Sequence, residues 1–120
     1  MGIFGPKRKT AYDSLTQEEK NAVDYHRRNL EAGFVQQNGD GSGTSFKGAV
    51  EDINGKPTYF PTFWNGRELP LDQARQRVLN SGIQFPTYPT YDAALAREKM
   101  IHDQIMAPDM RAYLQRLKRK

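Results

Sequence analysis

The residue types able to do chemistry are few. The 120-residue chain has two histidines and no cysteine, which excludes disulfides, thiolate zinc sites and a thiol nucleophile. Glu98 and His102 stand four apart in a predicted helix with Asp103 adjacent, so two metal ligands would share one face. A zinc centre needs three or four ligands, and no second histidine follows at HExxH spacing, so the pair reads as structural. His26 falls on the narrow apolar stripe of an earlier predicted helix, where burial with a hydrogen-bond partner is the ordinary outcome. No serine sits in a nucleophile-elbow context. Distant carboxylates can converge for glycosidic hydrolysis, but nothing in the spacing points to that. The expectation is a protein that is not an enzyme, with no catalytic residues, no metal and no cofactor.

The stretch QQNGDGSGTS (36–45) invites two ligand readings. A calcium loop starting at Asp40 would end on Glu51, but Ser45 stands where the sixth-position glycine is needed and Ser42 at the third position. A phosphate-cradling loop wants a lysine opening a helix after the glycines, whereas Lys47 falls in a predicted strand. Successive Asn-Gly, Asp-Gly and Ser-Gly pairs instead read as turns leading into a sheet.

The densest cluster of large side chains is KPTYFPTFWNGRELP (56–70). In a strand, period two sends Phe60 and Trp64 to one side and Tyr59 and Phe63 to the other. Aromatics on a sheet flanked by Lys56 and Arg67 can stack single-stranded nucleic acid. No RNP-type pattern accompanies them, and burying each large ring contributes roughly 1.5–3 kcal/mol that a small domain needs. The cluster is therefore expected to be mostly core, with Phe60 and Trp64 inside and Tyr59 and Phe63 as contact residues. Phe46, Val50, Val78, Ile101 and Ile105 complete the expected core.

Charge is distributed unevenly. The net charge is +4 and mean hydropathy is −0.84. Residues 1–10 carry Lys7, Arg8 and Lys9 with no acid, and residues 111–120 carry Arg111, Arg116, Lys118, Arg119 and Lys120, also with no acid. Removing these eight cations from the net +4 leaves −4 for residues 11–110. An acidic body with two basic ends is not built to lie on nucleic acid over its whole surface, but its ends can reach for phosphates or acidic protein. No apolar run approaches the roughly 20 residues of a bilayer span, and no signal-peptide core follows the first basic residues. A soluble protein made in a cytoplasm is expected, without membrane contact.

The elements that would position these groups follow from local signals. Residues 1–13 read as an arm, in which Ile3 and Phe4 are apolar without local partners. Residues 14–34 read as a helix with a Thr16–Glu19 capping box and Gly33 at its C-terminal cap. Leu15, Val23, His26 and Leu30 form its stripe. Ser45–Ile53 alternates, Asn54-Gly55 signals a type I′ hairpin, Lys56–Trp64 returns, and Asn65-Gly66 turns again. Pro61 makes the return strand an edge strand or a bulged one. Leu71–Ser81 and Tyr91–Met106 read as helices, the latter capped by Thr90. Ala107-Pro108 is expected to interrupt, with a short basic amphipathic helix restarting over 109–117 on Met110, Tyr113, Leu114 and Leu117. The expected fold is α+β: a small antiparallel hairpin or sheet packed with two or three short helices, plus an N-terminal helix and extended basic termini. Residues 35–106 form its compact module and 107–120 a basic C-terminal helix or tail.

The order of these pieces resembles a small module of tailed-bacteriophage virion proteins. The resemblance is carried by NL (29–30), VQQNGDGSGTSFK (35–47), INGKPTYFPTFWNGREL (53–69), DQARQRVLNSG (72–82) and FPTYPTYDAALAREKMIH (85–102), covering about residues 29–105. It departs at Pro70, where the module tends to a serine, and at Ile83-Gln84 in place of a His-Gly-like turn. The resemblance implies a non-enzymatic structural component of a virion, standing alone or appended to tail, ejection or lytic proteins, and made in the host cytoplasm. Implied partners are other virion proteins (portal, capsid, neck or tail subunits) in many copies, with no catalytic residues to carry over. On this reading the gripping residues are Ile3, Phe4, Lys7, Arg8, Lys9, Tyr59, Phe63, Met110, Tyr113, Leu114, Arg116, Leu117, Lys118, Arg119 and Lys120. A DNA-binding or DNA-ejection accessory acting through the basic ends is the alternative.

Overall fold

A computed structural model describes residues 10–119. A 3-10 turn at Tyr12–Ser14 leads into helix α1 (Gln17–Ala32). Short strands β1 (Gln36–Gln37) and β2 (Gly43–Thr44) pair around the Gly-rich turn. The main hairpin is β3 (Gly48–Ile53) against β4 (Lys56–Pro61), followed by the ribbon β5 (Phe63–Trp64) and β6 (Arg67–Glu68). Helices α2 (Leu71–Ser81) and α3 (Tyr91–Ile101) follow. A π-turn at His102–Met106 joins α3 to α4 (Ala107–Lys118). The fold is mixed α+β, and every strand pair among the described residues is antiparallel.

Local chemistry explains most boundaries. Thr16 Oγ1 accepts from the Glu19 N–H at 3.2 Å while Glu19 accepts from the Thr16 N–H at 3.0 Å, a complete capping box. Gly33 ends α1 at φ 78°, a left-handed conformation that costs glycine nothing. Asn54-Gly55 and Asn65-Gly66 both have positive φ throughout, as two type I′ turns require. The Thr90 hydroxyl accepts from the Ala93 N–H and caps α3.

The core gathers on α1 and β4. Tyr25, Phe46, Tyr59, Trp64 and Phe85 form a ring cluster with centroid separations of 4.8–6.4 Å, mostly edge-on or tilted. Phe60, Val78, Ile101 and Ile105 are buried around it, while Val50 lies partly exposed at its edge. Tyr59 and Phe63, expected to face outward, are 2% and 0% exposed. The expectation fails because neither side of the return strand is free. The Tyr59 hydroxyl reaches Met106 in the π-turn at 3.7 Å, and its ring lies 5.1 Å from that of Phe46. The chain bends at Thr62, whose N–H meets the Phe46 and Lys47 carbonyls, so Phe63 turns inward and its carbonyl accepts from the Tyr25 hydroxyl. The outer edge of β4 is closed as well: Tyr59 N–H donates to the Pro86 carbonyl and Tyr88 N–H to the Pro57 carbonyl.

The C-terminal region also departs from expectation. Proline inside a continuous helix loses a hydrogen bond and presses on the carbonyl four residues back. Instead of breaking at Ala107-Pro108, the chain takes a wider π-turn just before it, with the Ala107 N–H donating to His102, and Pro108 sits in the first turn of α4. Helix α4 therefore belongs to the folded body. Met110, expected to meet a partner, is 7% exposed and packed so closely on Gly43 that a Cβ there would lie 2.6 Å from its sulfur.

Glu19 ties three distant segments. Its side chain is 1% exposed and accepts from Arg97 at 2.7 and 2.8 Å and from the Tyr88 hydroxyl at 2.7 Å. Burial alone would raise the carboxyl; the Arg97 fork, the Thr16 N–H and Tyr88 outweigh it and hold the group at about 2. A folded pKa this far below the unfolded value stabilises the fold above about pH 4.5, a contribution lost as pH falls toward 2. Replacing the cation strands a buried charge. Arg97→Met should cost about 2–3 kcal/mol in urea unfolding at pH 7, the low end for a broken buried pair because Arg97 is partly solvated. A loss below about 0.5 kcal/mol would mean that Glu19 finds water instead.

Candidate functional site

Two concavities flank α4. The larger, about 600 Å³, lies between the 40–48 loop region and the α3–π-turn–α4 run. Its lining includes Ser45, His26, Tyr59, Glu98, His102 and Arg111. The smaller, about 450 Å³, lies between α1 and α4 and is lined by Arg27, Leu30, Glu31, Asp109, Ala112, Tyr113, Arg116 and Leu117.

At the wall of the larger cavity stands a Ser–His–Asp chain that sequence spacing concealed. His26 Nδ1 is 2.6 Å from Ser45 Oγ, and His26 Nε2 is 3.2 Å from Asp109 Oδ2. An ionised carboxylate only accepts, so Nε2 carries the proton, leaving Nδ1 to accept from the serine hydroxyl. Arg27 shares Asp109 through its Nε at 2.9 Å, and Asn29 donates to the Ser45 carbonyl at 2.7 Å. The geometry satisfies the bonding pattern of a nucleophile, base and orienting acid.

Its electrostatics favour a tie over a reaction centre. His26 is 1% exposed; burial lowers its pKa, Asp109 opposes, and the balance is about 4. At pH 7 a base that weak binds a proton with a deficit of roughly 4 kcal/mol. General bases work best near the operating pH. Asp109 is moreover engaged by a guanidinium that draws its charge away from the ring. The chain Ser45–His26–Asp109 joins the β2–β3 connection, α1 and α4 into one unit.

The other chemical candidates stay apart. Glu98 and His102 both line the larger cavity, but the Glu98 carboxylate has no hydrogen-bond or ion-pair partner among the described residues, and the His102 ring, 60% exposed, pairs with Asp103 at 3.1 Å. No group of three or more potential metal ligands occurs among the described residues. The Asp40 carboxylate bonds the Ser42 N–H and hydroxyl within its own turn. No described helix is long and apolar enough to cross a membrane.

Of the residues expected to grip a partner, Ile3, Phe4, Lys7, Arg8, Lys9 and Lys120 lie outside the described residues. Tyr59, Phe63 and Met110 are buried in the fold. Tyr113, Leu114 and Leu117 are half-buried along α4, with Arg116, Lys118 and Arg119 exposed. Tyr113, Arg116 and Leu117 line the smaller groove, and Leu114 the larger cavity. Arg27, Ser45 and Asp109 escaped sequence reasoning; the one available signal was that a histidine on an apolar stripe needs partners. No family model, curated protein or solved structure matches this chain.

A pH profile tests the tie. Between about pH 6.5 and 4 the unfolded chain protonates His26 while the native ring stays neutral, so stability falls on acidification by about 2–3 kcal/mol. His26→Gln should remove this segment of the profile while lowering stability at pH 7. Ser45→Ala should cost about 1–2 kcal/mol by leaving Nδ1 without a donor. A wild-type profile flat over that interval would show a solvated ring.

Proposed function

We propose that the chain is a non-enzymatic structural protein of a tailed-bacteriophage virion, assembling in the head, neck or tail through protein–protein contacts of its terminal regions. The observation that carries this reading is where unsatisfied side chains remain. The aromatic cluster is consumed by the core, and the Ser–His–Asp chain is consumed by tying helices together. Half-buried Tyr113, Leu114 and Leu117 run beside exposed Arg116, Lys118 and Arg119 on α4. A half-covered amphipathic stripe with a cationic flank suits a neighbouring subunit. The ordered resemblance over residues 29–105 supplies the setting, and its lack of assigned catalytic residues agrees with the weak base at His26.

Mass spectrometry of purified particles should detect the protein in stoichiometric amounts. A chain truncated after Met110 should fold yet be depleted at least tenfold from particles. Full incorporation of the truncated chain would remove α4 from the interface, and absence of the intact chain from particles would end the reading.

The concentration of five cations in residues 111–120 favours one second reading, an accessory that binds packaged or ejecting DNA. Phosphate contacts release counterions, so about three of them predict an affinity loss of roughly forty-fold between 50 and 200 mM salt. Binding that is indifferent to salt, or no binding, rules against DNA as the partner.

A further inference from the structure

Two prolines decide which backbone groups of the main hairpin are left over. Pro57 and Pro61 have no N–H to give a ladder, and they stand opposite Asp52 and Gly48. Between them Tyr59, opposite Val50, sends its N–H away from β3 to the Pro86 carbonyl at 3.0 Å. These are therefore the non-hydrogen-bonded pairs of the ladder, in which both partners turn N–H and C=O outward. On the β4 side the 86–88 segment covers those groups. On the β3 side Gly48, Val50 and Asp52 present theirs without a hydrogen-bond partner among the described residues. Gly48 and Asp52 are exposed and Val50 is half-buried, so the edge meets solvent. Lys47, at φ 50°, and the Asn54-Gly55 turn bound it on either side. Such an edge is a template for another strand, ordinarily blunted by proline, a bulge or charge. Strand β3, GAVEDI, carries charge and no proline.

The charge is acidic, and it selects the occupant. Glu51 is held by Arg75 at 3.1 Å, whereas Asp52 has no ion-pair or hydrogen-bond partner among the described residues. Glu98, also unpaired, lines the larger cavity beside Gly48 and Tyr59. Period two places Gly48, Val50 and Asp52 on one face, so an unpaired carboxylate stands near each end of the edge. Of the cations lining that cavity, Lys47 turns to Glu68 at 3.7 Å and Arg111 belongs to α4. A second copy of β3 fits badly. Pairing about Val50 sets Glu51 diagonal to its counterpart, and pairing about Asp52 opposes two carboxylates directly. A strand with cations on alternate residues meets neither penalty. Its cationic face meets Asp52 and Glu98, and its other face lies over half-buried Ala49 and Ile53.

We propose that the β3 edge is a docking site for an extended cationic segment of a partner protein. The segment adds a third strand to the hairpin through backbone hydrogen bonds to Gly48, Val50 and Asp52. Its end beside Gly48 enters the larger cavity, where Phe46, Met106 and Met110 supply apolar cover. The site is opposite in charge to the distal turn of α4 and does not depend on the terminal-contact reading.

The first check needs no ligand. In the free chain the amides of Gly48, Val50 and Asp52 should exchange with solvent at least tenfold faster than those of Ala49, Glu51 and Ile53, which the ladder holds. An end-blocked alternating Lys-Val hexapeptide at millimolar concentration should then slow the three edge amides at least fivefold. The same peptide N-methylated throughout keeps its charge and should give no protection, and an alternating Glu-Val peptide should not bind. Asp52→Lys, a change at an exposed side chain, should weaken the Lys-Val peptide at least fivefold while the ladder amides stay protected. Slow exchange at all six positions of the free chain would show an edge already covered and overturn the proposal. So would protection by the methylated or acidic peptide, binding indifferent to Asp52→Lys, or no protection by the Lys-Val peptide. Edge amides that slow with rising protein concentration alone would make a second copy the occupant, which also overturns it. All of these measurements use the isolated chain, so their failure and failure of the assembly role are separable.

Discussion

The structure depends on what α1 is required to bury. Glu19 and His26 stand seven residues apart, two turns along one helical face, and both are about 1% exposed. A polar group withdrawn from water so completely must be matched or the fold does not form. Glu19 is matched by Arg97 and Tyr88, and His26 by Ser45 and Asp109. Each match reaches a segment distant in the chain, so the two anchors fix the docking of α3, the 83–90 loop, the β2–β3 connection and α4. Between the anchors lie Ala22, Val23 and Tyr25, and Tyr25 carries α1 into the aromatic cluster. Hydrophobic burial supplies the driving force, while the paired polar groups select one arrangement of helices from many greasy ones.

The local devices of this fold were legible because they rest on few residues. The capping box at Thr16–Glu19, the two Asn-Gly turns, the Gly33 cap and the Thr90 cap each follow from side-chain chemistry or glycine's access to positive φ. Phe60, Trp64, Val78 and Ile101 were visible as core through size and period. What escaped was nonlocal. Period two says that alternate residues face opposite ways, but not whether both ways lead to protein. Tyr59 is buried because the π-turn, some 45 positions later, brings Met106 over it. Local signals mark Asp109 only as the start of a helix, since its partners lie more than eighty residues upstream.

The π-turn shows how one local conflict shaped the domain boundary. Pro108 promised a break and hence a separate tail. A break would have left the carbonyls of the last turn of α3 without donors near a buried region. Widening one turn admits the proline while keeping the helical run unbroken from α3 into α4. Continuity brings Asp109 to His26 and Arg27 and Met110 onto Gly43, where the missing side chain of the glycine admits the sulfur. The folded body extends through α4. Along the outer turns of α4, Arg111, Ala112, Gln115, Arg116 and Lys118 remain exposed.

That exposure bears on what the cationic ends can do. A charged tail free in solution spends conformational entropy whenever it is captured, at about 1–2 kcal/mol per ordered residue. Helix α4 has already met most of that cost through Asp109 and Met110, so its distal residues present Arg116, Lys118 and Tyr113 from a settled backbone. Preorganised charge on a fixed axis gives a partner orientation as well as attraction. The burial of His26 thus acts on the outer surface indirectly: by anchoring the base of α4, it sets the direction in which the helix leaves the body.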